Sequence, residues 1–201
     1  MKALGKGSIA SIVEIGLTIA WYVLWAAAVC LVVAALGYAT FMALVSAGAV
    51  DPATVPNQGD IRIEFGGIDT ESIRGLGWTE WQVFAPGLLI AGVSVGGSLI
   101  IVSRLRRLFD SFSSSKPFQR ENAEHLRVIW ITMVVIEVAR YLLTVATAAL
   151  VMAFNESHGV GVRDIKVTVD LSTWGSILIL IVLAEVFREG ARLREEQELT
   201  I

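Results

Sequence analysis

Four apolar stretches punctuate the chain, at about Leu17–Val45, Phe84–Val102, Val128–Phe154 and Leu171–Phe187. A helix needs about 20 predominantly apolar residues to cross a hydrocarbon core roughly 30 Å thick. The second and fourth stretches stand near that minimum; the first and third are long enough to tilt or protrude. Charged residues are 17% of the 201-residue chain, against about 25% in soluble domains. Within the stretches the only charges are Glu137, Arg140 and Glu185. Irregular backbone facing lipid would leave peptide groups unbonded, so stretches of this length cross as helices. The expected fold is an all-α integral membrane protein, a single domain over residues 1–201 with four transmembrane helices.

The basic residues then orient the chain. Lys2 and Lys6 precede the first stretch, and Arg188, Arg192 and Arg194 follow the fourth. Arg104, Arg106, Arg107, Lys116, Arg120 and Arg127 lie between the second and third. The other two loops hold only Arg62, Arg74, Arg163 and Lys166. Positive residues collect on the cytoplasmic side, so both termini and the middle loop are expected in the cytoplasm. An even number of spans requires the termini to share a side, and the charge pattern agrees. Ala47-Gly48-Ala49 has the small-residue form of a signal-peptidase site. The apolar run before it is far longer than a signal sequence's 7–15 or so residues, so the first helix reads as uncleaved.

Residues 8–18 leave two readings. Ile9, Ile12, Val13 and Leu17 share a helical face opposite Ser8, Ser11, Glu14 and Thr18, with Ile15 interrupting the polar side. This segment either lies along the membrane surface or extends the first helix. In the outer loops, Ile61, Ile63 and Phe65 alternate with Arg62 and Glu64, and Ile165, Val167 and Val169 with Lys166, Thr168 and Asp170. Period-two alternation reads as half-buried strand, so a small extracytoplasmic β-cap from the two loops is expected. Trp78, Trp81, Trp174 and Trp130 fall near span ends, as in an interfacial aromatic belt.

Chemistry-bearing residues are few. Glu137 and Arg140 sit near the middle of the third span, three residues apart and so on one helix face. Charges at that depth are costly and pair with one another, which predicts an intramembrane ion pair; it either fixes packing or lines a ligand or proton site. Gly92-Val-Ser-Val-Gly96-Gly97 gives the second helix a small face for close helix approach. Cys30 stands alone in the first helix and reads as a buried bystander. His125 and His158 fall on opposite membrane faces by this topology, and neither a catalytic constellation nor metal-ligand spacing is evident. Neither an enzyme activity nor a cofactor is expected.

Two polar segments carry a family resemblance. One is Lys116-Pro117-Phe118 followed by Glu121-Asn122; the other is Phe187-Arg188, Gly190, Leu193, Glu196 and Leu199-Thr200-Ile201. They resemble a bacterial family of small four-helix membrane proteins, domain of unknown function 2975. That family has a Lys-Pro-Phe-x-x-Glu-Asn-like element before the third helix and a Phe-Arg-x-Gly…Leu-x-x-Glu-x-x-Leu-Thr-Ile-like tail. The resemblance covers essentially the whole chain, and the family offers no catalytic residues to carry over. Its genes often neighbour a small Xre-type helix-turn-helix regulator, so the resemblance implies a membrane partner of a transcription factor.

The expected function is a regulatory or sensory protein of the bacterial inner membrane that binds or tethers such a cytosolic regulator. Lys116, Pro117, Phe118, Glu121, Asn122, Leu193, Glu196, Leu199, Thr200 and Ile201 are the candidate contact residues. The bilayer is the other partner; direct nucleic-acid binding is not expected, and a homo-oligomer is compatible with the sequence. The alternatives are a small transporter or channel component with Glu137 and Arg140 in the path, and a structural envelope protein.

Overall fold

The computed structural model describes residues 9–51, 81–113, 120–155 and 170–198. They form four helices: α1 (Ile9–Ser46), α2 (Trp81–Ser113), α3 (Arg120–Asn155) and α4 (Leu171–Glu198). All four are long and apolar enough to cross a membrane, which makes this a multi-pass membrane protein. Among the described residues there is no strand. The segments 61–65 and 165–169, expected as a β-cap, lie outside the described residues.

Every helix begins or ends beyond its apolar stretch. α1 has 38 residues, or about 57 Å at 1.5 Å per residue. Of the two readings for residues 8–18, α1 has the continuous one: helix runs unbroken from Ile9 into the first span. It stops in a Schellman motif. The Ala49 N–H donates to the Leu44 carbonyl and the Gly48 N–H to the Val45 carbonyl, both at 3.0 Å. That geometry needs a left-handed residue just past the last turn, and Gly48 supplies it at φ 70°. The small residues at 47–49 are thus accounted for as a helix stop. α4 starts on an Asp cap: the Ser172 N–H donates to Asp170 Oδ1 at 3.0 Å and the Thr173 hydroxyl to Oδ2 at 2.6 Å.

The hydroxyls inside the helices bond backward along their own chain. Thr18, Thr40, Ser94, Thr132, Thr144, Thr147 and Ser176 each donate to the carbonyl four residues earlier. A hydroxyl in hydrocarbon has no water to bond, and this local bond removes the cost of carrying it there.

Apolar side chains also face outward. On α1, Tyr22, Val29, Val32, Val33 and Leu36 are all exposed. Lipid tails are as apolar as leucine, so such a face needs no protein cover. Cys30 is exposed on α1 rather than buried in protein. A helix that is apolar all round carries no periodicity to say which side meets lipid, so the outward position of Cys30 leaves no mark in the sequence.

The chain divides into two compact units. The first comprises residues 1–26, 95–136 and 170–201, the second residues 27–94 and 137–169. In the first unit, Leu108 of α2, Leu126 of α3 and Ala184 of α4 form a buried cluster packed by Leu105, Trp130, Leu180 and Phe187. Gly97 meets α3 so closely that a Cβ built there would fall 2.3 Å from Ile136 Cδ1. In the second unit, Leu31 Cδ2 would be 3.7 Å from a Cβ at Gly92. The Tyr38 ring stacks on Phe84 there at 5.4 Å. The small face of α2 is used for packing inside the chain at both glycines.

Candidate functional site

Among the described residues of the second unit, the buried polar residues Glu137, Thr144 and Thr147 lie on one face of α3 with the partly buried Arg140. Glu137, Arg140, Thr144 and Thr147 follow one another at spacings of three and four, which aligns them along the helix. Glu137 is 6% exposed. Arg140 Nη2 donates to Glu137 Oε2 at 2.7 Å, and the Arg140 side chain is 24% exposed. The guanidinium also lies 5.4 Å from the centre of the Tyr141 ring, a cation–π distance. Arg140 Nε is buried without a hydrogen-bond partner among the described residues. Thr144 and Thr147 donate to the carbonyls of Arg140 and Leu143 at 2.9 and 2.7 Å. Each charge therefore carries its counter-charge on its own helix, and each hydroxyl is satisfied locally.

A second polar group stands in the first unit. Asn122, 1% exposed, donates from Nδ2 to Ser111 Oγ at 2.9 Å and so ties the start of α3 to the end of α2. One turn along, Arg104 Nη1 stands 3.5 Å from His125 Nδ1. Arginine can only donate, so the imidazole presents its Nδ1 lone pair there. Arg106 lies over the Trp21 ring at 5.7 Å, and Trp21 meets Trp25 edge to face at 6.1 Å. On α4 the acidic and basic residues pair along the helix. Arg188 bonds Glu185, Arg192 bonds Glu189 at 2.7 Å, and Arg192 Nε lies 3.6 Å from Glu196. Leu193 stands among them, 50% exposed.

The expected contact residues are therefore distributed unevenly. Glu121 is exposed in the first turn of α3, and Leu193 and Glu196 are exposed on α4. Asn122 is spent inside the α2–α3 contact and its side chain faces no free surface. Lys116, Pro117, Phe118, Leu199, Thr200 and Ile201 lie outside the described residues. The Trp21–Arg106 and Arg104–His125 contacts join residues on different helices and leave no local pattern in the sequence. Thr144 and Thr147 were findable, since they continue the Glu137–Arg140 face at helical spacing. Among the described residues no group of three or more His, Cys, Asp or Glu side chains is placed to hold a metal ion.

Four membrane-crossing helices with polar clusters buried in both units define a small multi-pass membrane protein. A family model described as Protein of unknown function (DUF2975) matches residues 72–201, and the chain belongs to that family. Comparison with curated proteins and with solved structures gives no match.

Proposed function

We propose that this protein is a regulatory or sensory component of the bacterial inner membrane that docks a cytosolic partner on the ends of α2, α3 and α4. The supporting observation is the packed helical end in the first unit. α2 runs on past Val102 to Ser113, α3 starts at Arg120 ahead of Val128, and α4 runs on past Phe187 to Glu198. Ala123, Leu126 and Ala191 are buried in these extensions. Lipid does not require helices to continue packed beyond the apolar zone, whereas a protein partner needs a shaped surface. Leu193, apolar and half exposed among paired charges, suits a reversible contact with a helix groove. The charge bias orients this end toward the cytoplasm, and the gene neighbours of the resembled family suggest an Xre-type regulator as the partner. The outer-loop β-cap at 61–65 and 165–169 belongs to the same reading, as the signal-facing part. A signal would act by binding one of two arrangements of the helices more tightly than the other.

A photo-crosslinking residue at Leu193 in native membranes tests the docking. A DNA-binding protein should be captured from position 193 and not from Leu178, a lipid-exposed position on the same helix. Failure to capture one from either position removes the reading.

The buried pair favours a second reading, a small transporter or channel component with Glu137 and Arg140 in its path. Solute flux in proteoliposomes that depends on Glu137 would put that reading first.

A further inference from the structure

We propose that the α1–α2 contact at Trp21 and Arg106, with Arg107 beside it, is a binding site for the phosphate of an anionic phospholipid. Three arginines, Arg104, Arg106 and Arg107, fall within one turn of α2. Among the described residues none of them pairs with a carboxylate, although Asp110 stands one turn further on. Arg140, Arg188 and Arg192 pair with carboxylates of their own helices; among the described residues the α2 arginines, like Arg120 and Arg127 at the start of α3, do not. The α2 cluster is three arginines outside any such ion pair, with the carboxylates of Glu121 and Glu124 near it around His125.

Its geometry suits a phosphodiester. Arg106 lies with its guanidinium over the Trp21 ring. A cation–π contact takes up no hydrogen-bond acceptor, so the N–H fork of the guanidinium stays available for bidentate donation to phosphate oxygens. Among the described residues no acceptor takes those donors. Arg104 is directed to His125. Helical spacing sets Arg107 about 100° round from Arg106 and about 60° from Arg104, so the exposed Arg107 can close on a phosphate that Arg106 holds.

Depth agrees. Arg106 is four residues beyond Val102, where the apolar stretch ends, or about 6 Å along the helix. The headgroup layer adds about 5–7 Å to each side of the hydrocarbon core. The guanidinium thus stands at phosphate level, with the Trp21 ring against it. Tyr22, Val23 and Trp25, next to Trp21 on α1, are exposed apolar surface for the acyl chains. An anionic lipid fits better than a zwitterionic one, whose ammonium would add charge to these three arginines. The proposal stands whether or not a protein partner docks.

The test is a titration of the purified full chain in neutral detergent with phosphatidylglycerol, reading thermal stability and, by native mass spectrometry, lipid retention. Wild type should show saturable stabilisation and a retained lipid. Arg106→Gln with Arg107→Gln should raise the half-saturating concentration about thirtyfold, at about a factor of five for each arginine near a lipid surface. Arg107→Gln alone, an exposed change that leaves packing intact, should give part of that loss. Arg188→Gln with Arg192→Gln removes the same charge from the same unit and should leave the curve in place. The proposal is overturned if the control pair weakens binding equally, or if the α2 variants bind like wild type. It is also overturned if phosphatidylcholine or inorganic phosphate serves as well as phosphatidylglycerol.

Discussion

Arg140 is where the sequence and the structure constrain each other most tightly. Its counter-charge is three residues back on the same helix, so the pair is made by secondary structure alone, before any tertiary contact. That is why it was legible in the sequence: both partners and their spacing are local. Burial then makes the pair unequal to the sum of its parts. Removing one partner leaves an uncompensated buried charge, at a general cost of about 3–5 kcal/mol, whereas replacing both with neutral groups can be nearly neutral. Glu137→Gln should therefore lower the melting temperature in detergent clearly, and Glu137→Gln with Arg140→Gln should recover much of the loss. Equal melting of the single and double variants would show that the pair carries no coupling. Asn122 is the contrasting residue. Read along the chain, it belongs to a polar contact motif; folded, its amide is buried against Ser111, eleven residues earlier on another helix. Nothing local distinguishes an asparagine that meets a partner protein from one that meets the next helix.

At the scale of elements, the helices and their order were readable because hydrocarbon permits so few alternatives. The ends were less so. Apolarity stops at Val102 and Phe187, but helix continues to Ser113 and Glu198, since Arg, Glu and Leu all favour helix once a nucleus exists. Close approach between elements was half legible: the Gly92–Gly97 run announced a small face, while its neighbours Leu31 and Ile136 could not be named without coordinates. Gly97 gives the sharper test. A Cβ there would lie 2.5 Å from Ile136 Cγ1 as well as 2.3 Å from Cδ1, so any side chain must displace the end of Ile136. Gly97→Ala should be tolerated with a small loss as that side chain turns aside. Gly97→Leu should destabilise by about 1–3 kcal/mol through overpacking, and Ile136→Ala in the same chain should restore part of it. The readout is the fraction remaining monodisperse after heating in detergent. If Ile136→Ala makes Gly97→Leu worse, the α2–α3 contact is not made at this pair.

For the whole molecule, the question that decides function is which way the packed ends of α2, α3 and α4 face. On the proposed reading they face the cytoplasm, and on the charge bias alone: eleven of the fifteen basic residues outside the spans fall at the termini or between α2 and α3. Both docking and the gene-neighbour argument require those ends in the cytoplasm. Cysteine labelling tests this cleanly, since Cys30 is the chain's one cysteine and stands exposed on an apolar helix, where serine should be accommodated. In a Cys30→Ser background, single cysteines at Gly59, Lys116 and Glu195 are to be treated with a membrane-impermeant maleimide on intact cells. Gly59→Cys should label at once, and Lys116→Cys and Glu195→Cys only after permeabilisation. Labelling of Lys116→Cys and Glu195→Cys from outside, with Gly59→Cys protected, would invert the protein and remove the cytosolic partner with it. Labelling that separates Lys116 from Glu195 would mean an odd number of crossings between them, so that one of α3 and α4 does not span. The expected pattern keeps every basic extension of α2, α3 and α4 on one face, where one partner can touch all three.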